Sequence, residues 1–158
     1  MVGKAIQKAN AAKIIAVINT LETACEMHYI DTGRYASEYT IGVPDIWNNL
    51  TKDPGNAPGW NGPYIKKPLT RSDNPYRNHM VVSSSLTNFD LDGDGTVETF
   101  GEGNYVLFMS IPEVVARRVN DAFDGPDGSG WAADDWQSRG RVELSAGVTL
   151  NIYLLGGD

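Results

Sequence analysis

Residues 4–32 run without a proline or a glycine, and this uninterrupted stretch constrains the fold more than any other feature of the chain. Ala, Lys, Gln, Glu, Ile and Leu dominate it, most of them good helix formers. The pattern predicts a helix over residues 4–32, roughly 40 Å long at about 1.5 Å per residue. Ile14, Val17, Ile18, Leu21, Ala24, Cys25, His28 and Tyr29 recur with a helical period and predict one apolar stripe that packs on a sheet. Ahead of Ile14 the sequence is mostly Ala and polar residues, so the first three turns have little to bury and are expected to protrude. Gly33 supplies the left-handed residue with which helices commonly stop. A helix larger than the small domain behind it needs suits a rod for assembly better than the start of an enzyme.

The rest of the chain reads as loops and short strands. Turn formers are dense from Ala36 to Asn61, with one short helical turn expected over residues 44–50. Tyr64-Ile65 reads as extended. Residues 79–86 and 103–110 read as strands. Residues 112–123 read as a short helix with Pro112 in its first turn. Its apolar side is expected to be Val114, Val115, Val119, Ala122 and Phe123. Residues 141–145 and 148–155 predict a terminal hairpin turned at Ala146-Gly147. The sum is an α+β fold, a long N-terminal helix packed on an antiparallel β-sheet. One domain is expected over residues 1–158, with the helix at 4–32, a connecting region at 33–78 and the sheet at 79–158.

Charge and chemistry-bearing residues exclude several function classes. A net charge of −7 opposes a phosphate-binding surface, because nucleic-acid affinity rests on clustered Lys and Arg. The single cysteine, Cys25, excludes an intramolecular disulfide, and its place on the apolar stripe predicts a buried, inert thiol. His28 and His79 are the only histidines, and with Cys25 they do not make a four-ligand zinc set. The chain has no nucleophile elbow, P-loop or dinucleotide glycine pattern. Trp47, Trp60, Trp131 and Trp136 are expected to be core residues and loop anchors, with sugar stacking as the alternative.

The sharpest chemical signal is Asn88-Phe89-Asp90-Leu91-Asp92-Gly93-Asp94-Gly95-Thr96-Val97-Glu98. Carboxylates at alternate positions repel one another unless a cation holds them, and Gly93 and Gly95 let the backbone curl so that they point inward. Ca2+ takes six to eight oxygen ligands, and this spacing is how short loops supply them. The expected ligands are the side chains of Asp90, Asp92 and Asp94, the Thr96 carbonyl and the Glu98 carboxylate. Position 12 of an EF-hand loop would fall on Gly101, and the flanks read as strands. The expectation is therefore a calcium loop over residues 88–98 joining two strands, with a solvated acidic turn as the alternative. A second acidic stretch, Asp121, Asp124, Asp127, Asp134 and Asp135, is irregularly spaced and reads as a solvated loop.

Three motifs carry a resemblance. Tyr29-Ile30-Asp31-Thr32-Gly33-Arg34-Tyr35 ends the helix, and Trp60-Asn61-Gly62-Pro63-Tyr64-Ile65-Lys66-Lys67 and Asn74-Pro75-Tyr76 follow in order. The chain resembles the periplasmic part of type II secretion system pseudopilins, the major pseudopilin most closely, within the type IV pilin-like group. The family's Asp-Pro-Trp-Gly-Asn-Pro-Tyr stands here as Thr70-Arg71-Ser72-Asp73-Asn74-Pro75-Tyr76, and the C-terminal half is longer than usual for a major pseudopilin. The resemblance implies a non-enzymatic subunit of a pseudopilus fibre for protein transport. Its partners would be other pseudopilin subunits and secretion-system components, with no nucleic acid among them.

The resemblance also implies an inner-membrane anchor with the domain in the periplasm, or an extracellular place in a pilus. No run of about 20 apolar residues occurs. Residues 1–3 are therefore expected to be foreign, and a transmembrane half-helix to be missing ahead of them. The resemblance implies a structural calcium in a loop near the C-terminal end of the fold; the ligands named above come from this loop's own spacing, which is not the family's usual ligand pattern. A minor pseudopilin, a type IV pilin for adhesion or DNA uptake, and a calcium-dependent carbohydrate-recognition module remain as alternatives.

Overall fold

The computed structural model describes residues 2–40, 48–85, 89–98, 101–125, 135–146 and 148–156. Helix α1 (Val2–Thr32) is followed by β1 (Glu38–Tyr39), β2 (Met80–Ser83), β3 (Gly103–Phe108), α2 (Glu113–Phe123), β4 (Val142–Ser145) and β5 (Thr149–Gly156). The five strands form one sheet in the order β1-β2-β3-β5-β4, and every neighbouring pair is antiparallel. The long helix packs against this sheet, as the apolar stripe predicts, and also against α2, which the stripe does not specify.

Strand alternation builds the core. In β5, Leu150, Ile152 and Leu154 are buried while Thr149, Asn151 and Tyr153 are only partly covered, the period-two pattern of a half-buried strand. The registers line these residues into rows. Val82, Val106, Ile152 and Val142 form one row across four strands, and Met80, Phe108, Leu150 and Leu144 form the next. All eight side chains are buried, and full burial of such side chains contributes about 1.5–3 kcal/mol each. From α1, Ile14, Ile18, Leu21, Ala24, Cys25 and His28 join the buried set, whereas Tyr29 is exposed and stacks on Tyr35 with centroids 4.6 Å apart.

The start of α1 stands clear of the domain. Residues 3–6, 8 and 9 are exposed, and Ala11 is the first buried position. The first ties are Asn10 Nδ2 to Tyr76 Oη at 3.2 Å and Lys13 Nζ to the Ser72 carbonyl at 2.9 Å. The helix ends at Gly33, whose N–H donates to the Tyr29 carbonyl at 2.7 Å with φ +67°, as its glycine predicts.

Several expectations are corrected. The connecting region is not strandless: Glu38 and Tyr39 pair with Val82 and Val81 and add a fifth strand. Tyr64 and Ile65 form a bend instead of extended chain. The strand expected over residues 79–86 spans Met80–Ser83. On α2 the buried face is Val115, Ala116, Val119 and Asn120, with Val114 exposed. The helix is turned so that Ala116 and Asn120, four residues apart, accompany Val115 and Val119. Pro112 sits just outside the first turn as its N-cap. The expected helical turn at 44–50 lies mostly outside the described residues.

Candidate metal centre

The acidic loop lies between β2 and β3, as expected. A bridge closes it, Phe89 opposite Glu98, with the Glu98 N–H donating to the Phe89 carbonyl at 2.9 Å. Phe89 is buried and meets Tyr105 and Tyr153 edge-on at 5.8 and 6.1 Å, which anchors the loop to the partly covered face of the sheet. Inside the loop each carboxylate receives a backbone N–H. Asp94 donates to Asp92 Oδ1 at 3.0 Å, Thr96 to Asp94 Oδ1 at 2.7 Å, Gly95 to Asp90 Oδ2 at 2.8 Å and Leu91 to Glu98 Oε2 at 2.6 Å. Gly93 and Gly95 take φ +74° and +90°, backbone conformations that favour glycine.

The loop gathers Asp90, Asp92, Asp94 and Glu98, each offering one oxygen within 4.8 Å of all the others. Oxygens bound about 2.4 Å from a shared Ca2+ lie no farther than about 4.8 Å apart, so the spread suits a single ion. Asp90 is the buried member, and its Oδ1 has no hydrogen-bond partner among the described residues. A buried carboxylate oxygen left bare costs free energy, and a cation in the cluster would relieve it. Asp92 and Asp94 are exposed and Glu98 is half-buried, which leaves an open side for water ligands. Thr96 is exposed in the same turn.

Three residues that the sequence does not connect with the loop support it. Gly140 donates to the Asp90 carbonyl at 2.6 Å, the Asp90 N–H donates to Glu143 Oε1 at 3.1 Å, and Arg139 Nε lies 3.7 Å from Asp90 Oδ2. Burial pushes the Glu143 carboxyl up to about 7; the charges of Asp90, Asp124 and Glu98 add to the rise, and the Asp90 N–H opposes it. No local pattern in the sequence links Arg139, Gly140 or Glu143 with the loop.

In the second acidic stretch, Asp124 is no solvated residue. It accepts the N–H groups of Arg141 and Val142 at 3.1 and 2.9 Å, and burial raises its pKa. Asp127 and Asp134 lie outside the described residues, as do Trp47 and Trp131. Trp136 is buried in the core, and Trp60 Nε1 donates to the Asn49 carbonyl at 2.9 Å.

The two motifs around the end of α1 meet in space. The Tyr64 hydroxyl donates to Asp31 Oδ2 at 2.9 Å and accepts the Asn61 N–H at 2.9 Å. His28 donates through Nδ1 to the Arg34 carbonyl at 2.9 Å and meets the Tyr64 ring edge-on. Trp60 also meets that ring edge-on, at 5.6 Å. Farther on, Asn74 is fully buried; its Nδ2 donates to the Met109 carbonyl at 2.9 Å and its Oδ1 accepts the Tyr76 N–H. The motifs form a lock that ties the helix end to the chain that follows.

The family model described as type II secretion system (T2SS), protein G, matches residues 1–104. The chain belongs to that family. Membership makes it a major-pseudopilin subunit, structural and not catalytic. The matched span includes α1, the lock and the acidic loop, and ends just inside β3. No curated protein and no solved structure matches the chain. Among the described residues, no helix is long and apolar enough to cross a membrane.

Proposed function

We propose that this chain is the repeating subunit of a type II secretion pseudopilus, folded as a single unit over residues 1–158. Anchored in the inner membrane, it presents its domain to the periplasm. In this reading Ca2+ is held by the carboxylates of Asp90, Asp92, Asp94 and Glu98 and the Thr96 carbonyl, and it neutralises their charge. The observation that carries the calcium assignment is the bare, buried Asp90 Oδ1 within a four-carboxylate cluster. Gly140, Arg139 and Glu143 tie Asp90 to the start of β4, so an ordered loop stiffens that edge of the sheet as well. The fibre role draws on family membership and on the exposed start of α1.

Thermal unfolding in EDTA, with Ca2+ and then Mg2+ added back, tests the ion. The expected result is a large rise in Tm that is selective for Ca2+ and lost in Asp92→Ala, since Mg2+ demands a tighter octahedron. No shift with either ion would remove the site. Supplying the full-length protein to a secretion system that lacks its major subunit tests the fibre role. Restored fibres support it, and their absence alongside a stably folded protein would refute it.

A further inference from the structure

Cations and acids are sorted between the two ends of the domain. β3 begins beside the end of α1, where Asn104 Nδ2 donates to the Ala36 carbonyl at 2.7 Å. It finishes beside Asn74, whose Nδ2 donates to the Met109 carbonyl at 2.9 Å. Tyr76 and Ser72, next to Asn74 in the chain, are tied in turn to Asn10 and Lys13, near the start of α1. That end of the domain therefore carries Lys4, Lys8, Lys13, Arg71 and Arg77, all exposed. Lys4, Lys8 and Arg77 have no ion-pair partner among the described residues. Of the acids there, Asp73 already accepts the Thr70 N–H at 2.8 Å, and Glu113 accepts from Gln137 at 3.4 Å. The opposite end carries Asp31, Asp90, Asp92, Asp94, Glu98 and Glu102, at the end of α1 and in the chain that leads into β3.

From this sorting we infer that the basic end rests on a surface of anionic phospholipid headgroups, with the start of α1 leading. The inference rests on the inner-membrane reading above, which brings that end to a bilayer. The placement of the cations favours a plane. Lys4 and Lys13 are nine residues apart, two and a half turns, so they stand on opposite sides of α1. Cations that surround an axis suit a flat charged surface met end-on, whereas a nucleic-acid strand or an acidic peptide needs them along one groove. Lys4 and Lys8 stand nearest the headgroups, and Arg71 and Arg77 follow beside residues 10–13. The acids of the other end lie about 30 Å farther along α1, several screening lengths away at about 0.1 M salt. They do not cancel the attraction, so a chain of net charge −7 binds a surface of its own sign through one end. Each lysine held at such a surface strengthens binding about fivefold. The contact turns the acidic loop away from the bilayer.

Flotation of the chain with phosphatidylglycerol vesicles in about 0.1 M salt tests the contact, with phosphatidylcholine vesicles as the comparison. The expected result is binding to the anionic vesicles alone, lost at about 0.5 M salt. Lys8→Gln weakens it about fivefold, and Lys4→Gln with Lys8→Gln roughly 25-fold, with an unchanged Tm. Arg34→Gln, which changes the net charge equally but lies past the other end of α1, leaves binding as it was. A dye on Ala5→Cys is quenched by a nitroxide-bearing lipid headgroup, and the same dye on Arg34→Cys is not; Cys25 is buried and stays unlabelled. No binding, equal binding to both kinds of vesicle, or equal quenching at the two positions would overturn the proposal. Binding to polyglutamate without binding to vesicles would make the partner an acidic protein and overturn it as well. Full-length protein that builds fibres while its domain ignores the vesicles discards the lipid contact and keeps the pseudopilin reading. A stably folded full-length protein that builds none sinks that reading itself.

Discussion

The sheet core and the acidic loop share a backbone device, antiparallel pairing, but opposite kinds of side chain complete them. In the core, two rows of four apolar side chains run across β2, β3, β5 and β4 and close on one another. In the loop, the bridge between Phe89 and Glu98 brings four carboxylates within 4.8 Å of each other. The core draws its stability from area removed from water, which is insensitive to ions. The loop concentrates charge of one sign, which disfavours the folded arrangement until a counter-charge arrives. One region is complete from its own residues, and the other gathers an acidic cluster that could hold a metal ion.

The largest way to break that contrast is in the core. Phe108→Ala is expected to cost about 3–5 kcal/mol, equally in EDTA and in Ca2+; a cost that depends on the ion would show the two regions to be coupled. Next comes the ion itself. Ca2+ at about a hundred times its Kd adds about 2.7 kcal/mol. Asp92→Asn should abolish that response while leaving the Tm in EDTA unchanged or slightly higher, because it removes repulsion. A variant that still responds to Ca2+ would take Asp92 out of the ligand set.

Smaller effects sharpen the comparison at the helix end. Tyr64→Phe removes the hydroxyl shared by Asp31 and Asn61 and should cost about 1 kcal/mol, with faster amide exchange over residues 28–33. Unchanged exchange there would mean the ring alone holds the lock. The smallest effect concerns Glu38, whose buried carboxylate accepts from the Leu50 N–H and the Thr51 hydroxyl. Burial raises its pKa above 4.5, and the hydrogen bonds only partly offset this. Its contribution to stability is therefore full below about pH 4.5 and is lost as the pH rises through the raised value. Glu38→Gln should flatten that fall in a series of melts against pH, and an unchanged slope would show that the carboxyl is not the cause.

What could be read from the sequence follows from how local each signal is. The helix, its bare start, its glycine stop and the terminal hairpin are written in neighbouring residues, and each formed where expected. The acidic loop was legible for the same reason, because its four carboxylates lie within nine residues of chain. β1 was not, since two residues carry no periodicity and Glu38-Tyr39 becomes a strand only by pairing with Val81 and Val82. Glu38 and Asn74 look like surface residues in sequence, yet both are fully buried because distant backbone groups complete their hydrogen bonds. The supports of Asp90 lie about fifty residues away, beyond any local pattern. On α2, Val114 was expected on the apolar side with Val115, and the helix's packing against α1 and β4 leaves it exposed.

The order of the strands has a consequence for crowding. The two edges of the sheet are β1, two residues long, and β4, four residues long, while the long strands β3 and β5 lie inside. At the start of β4, the Asp124 carboxylate accepts the N–H groups of Val142 and of the preceding Arg141. Long open edges invite strand addition and aggregation. Copies of this domain can therefore be held side by side at very high local concentration with little tendency for their sheets to zip together.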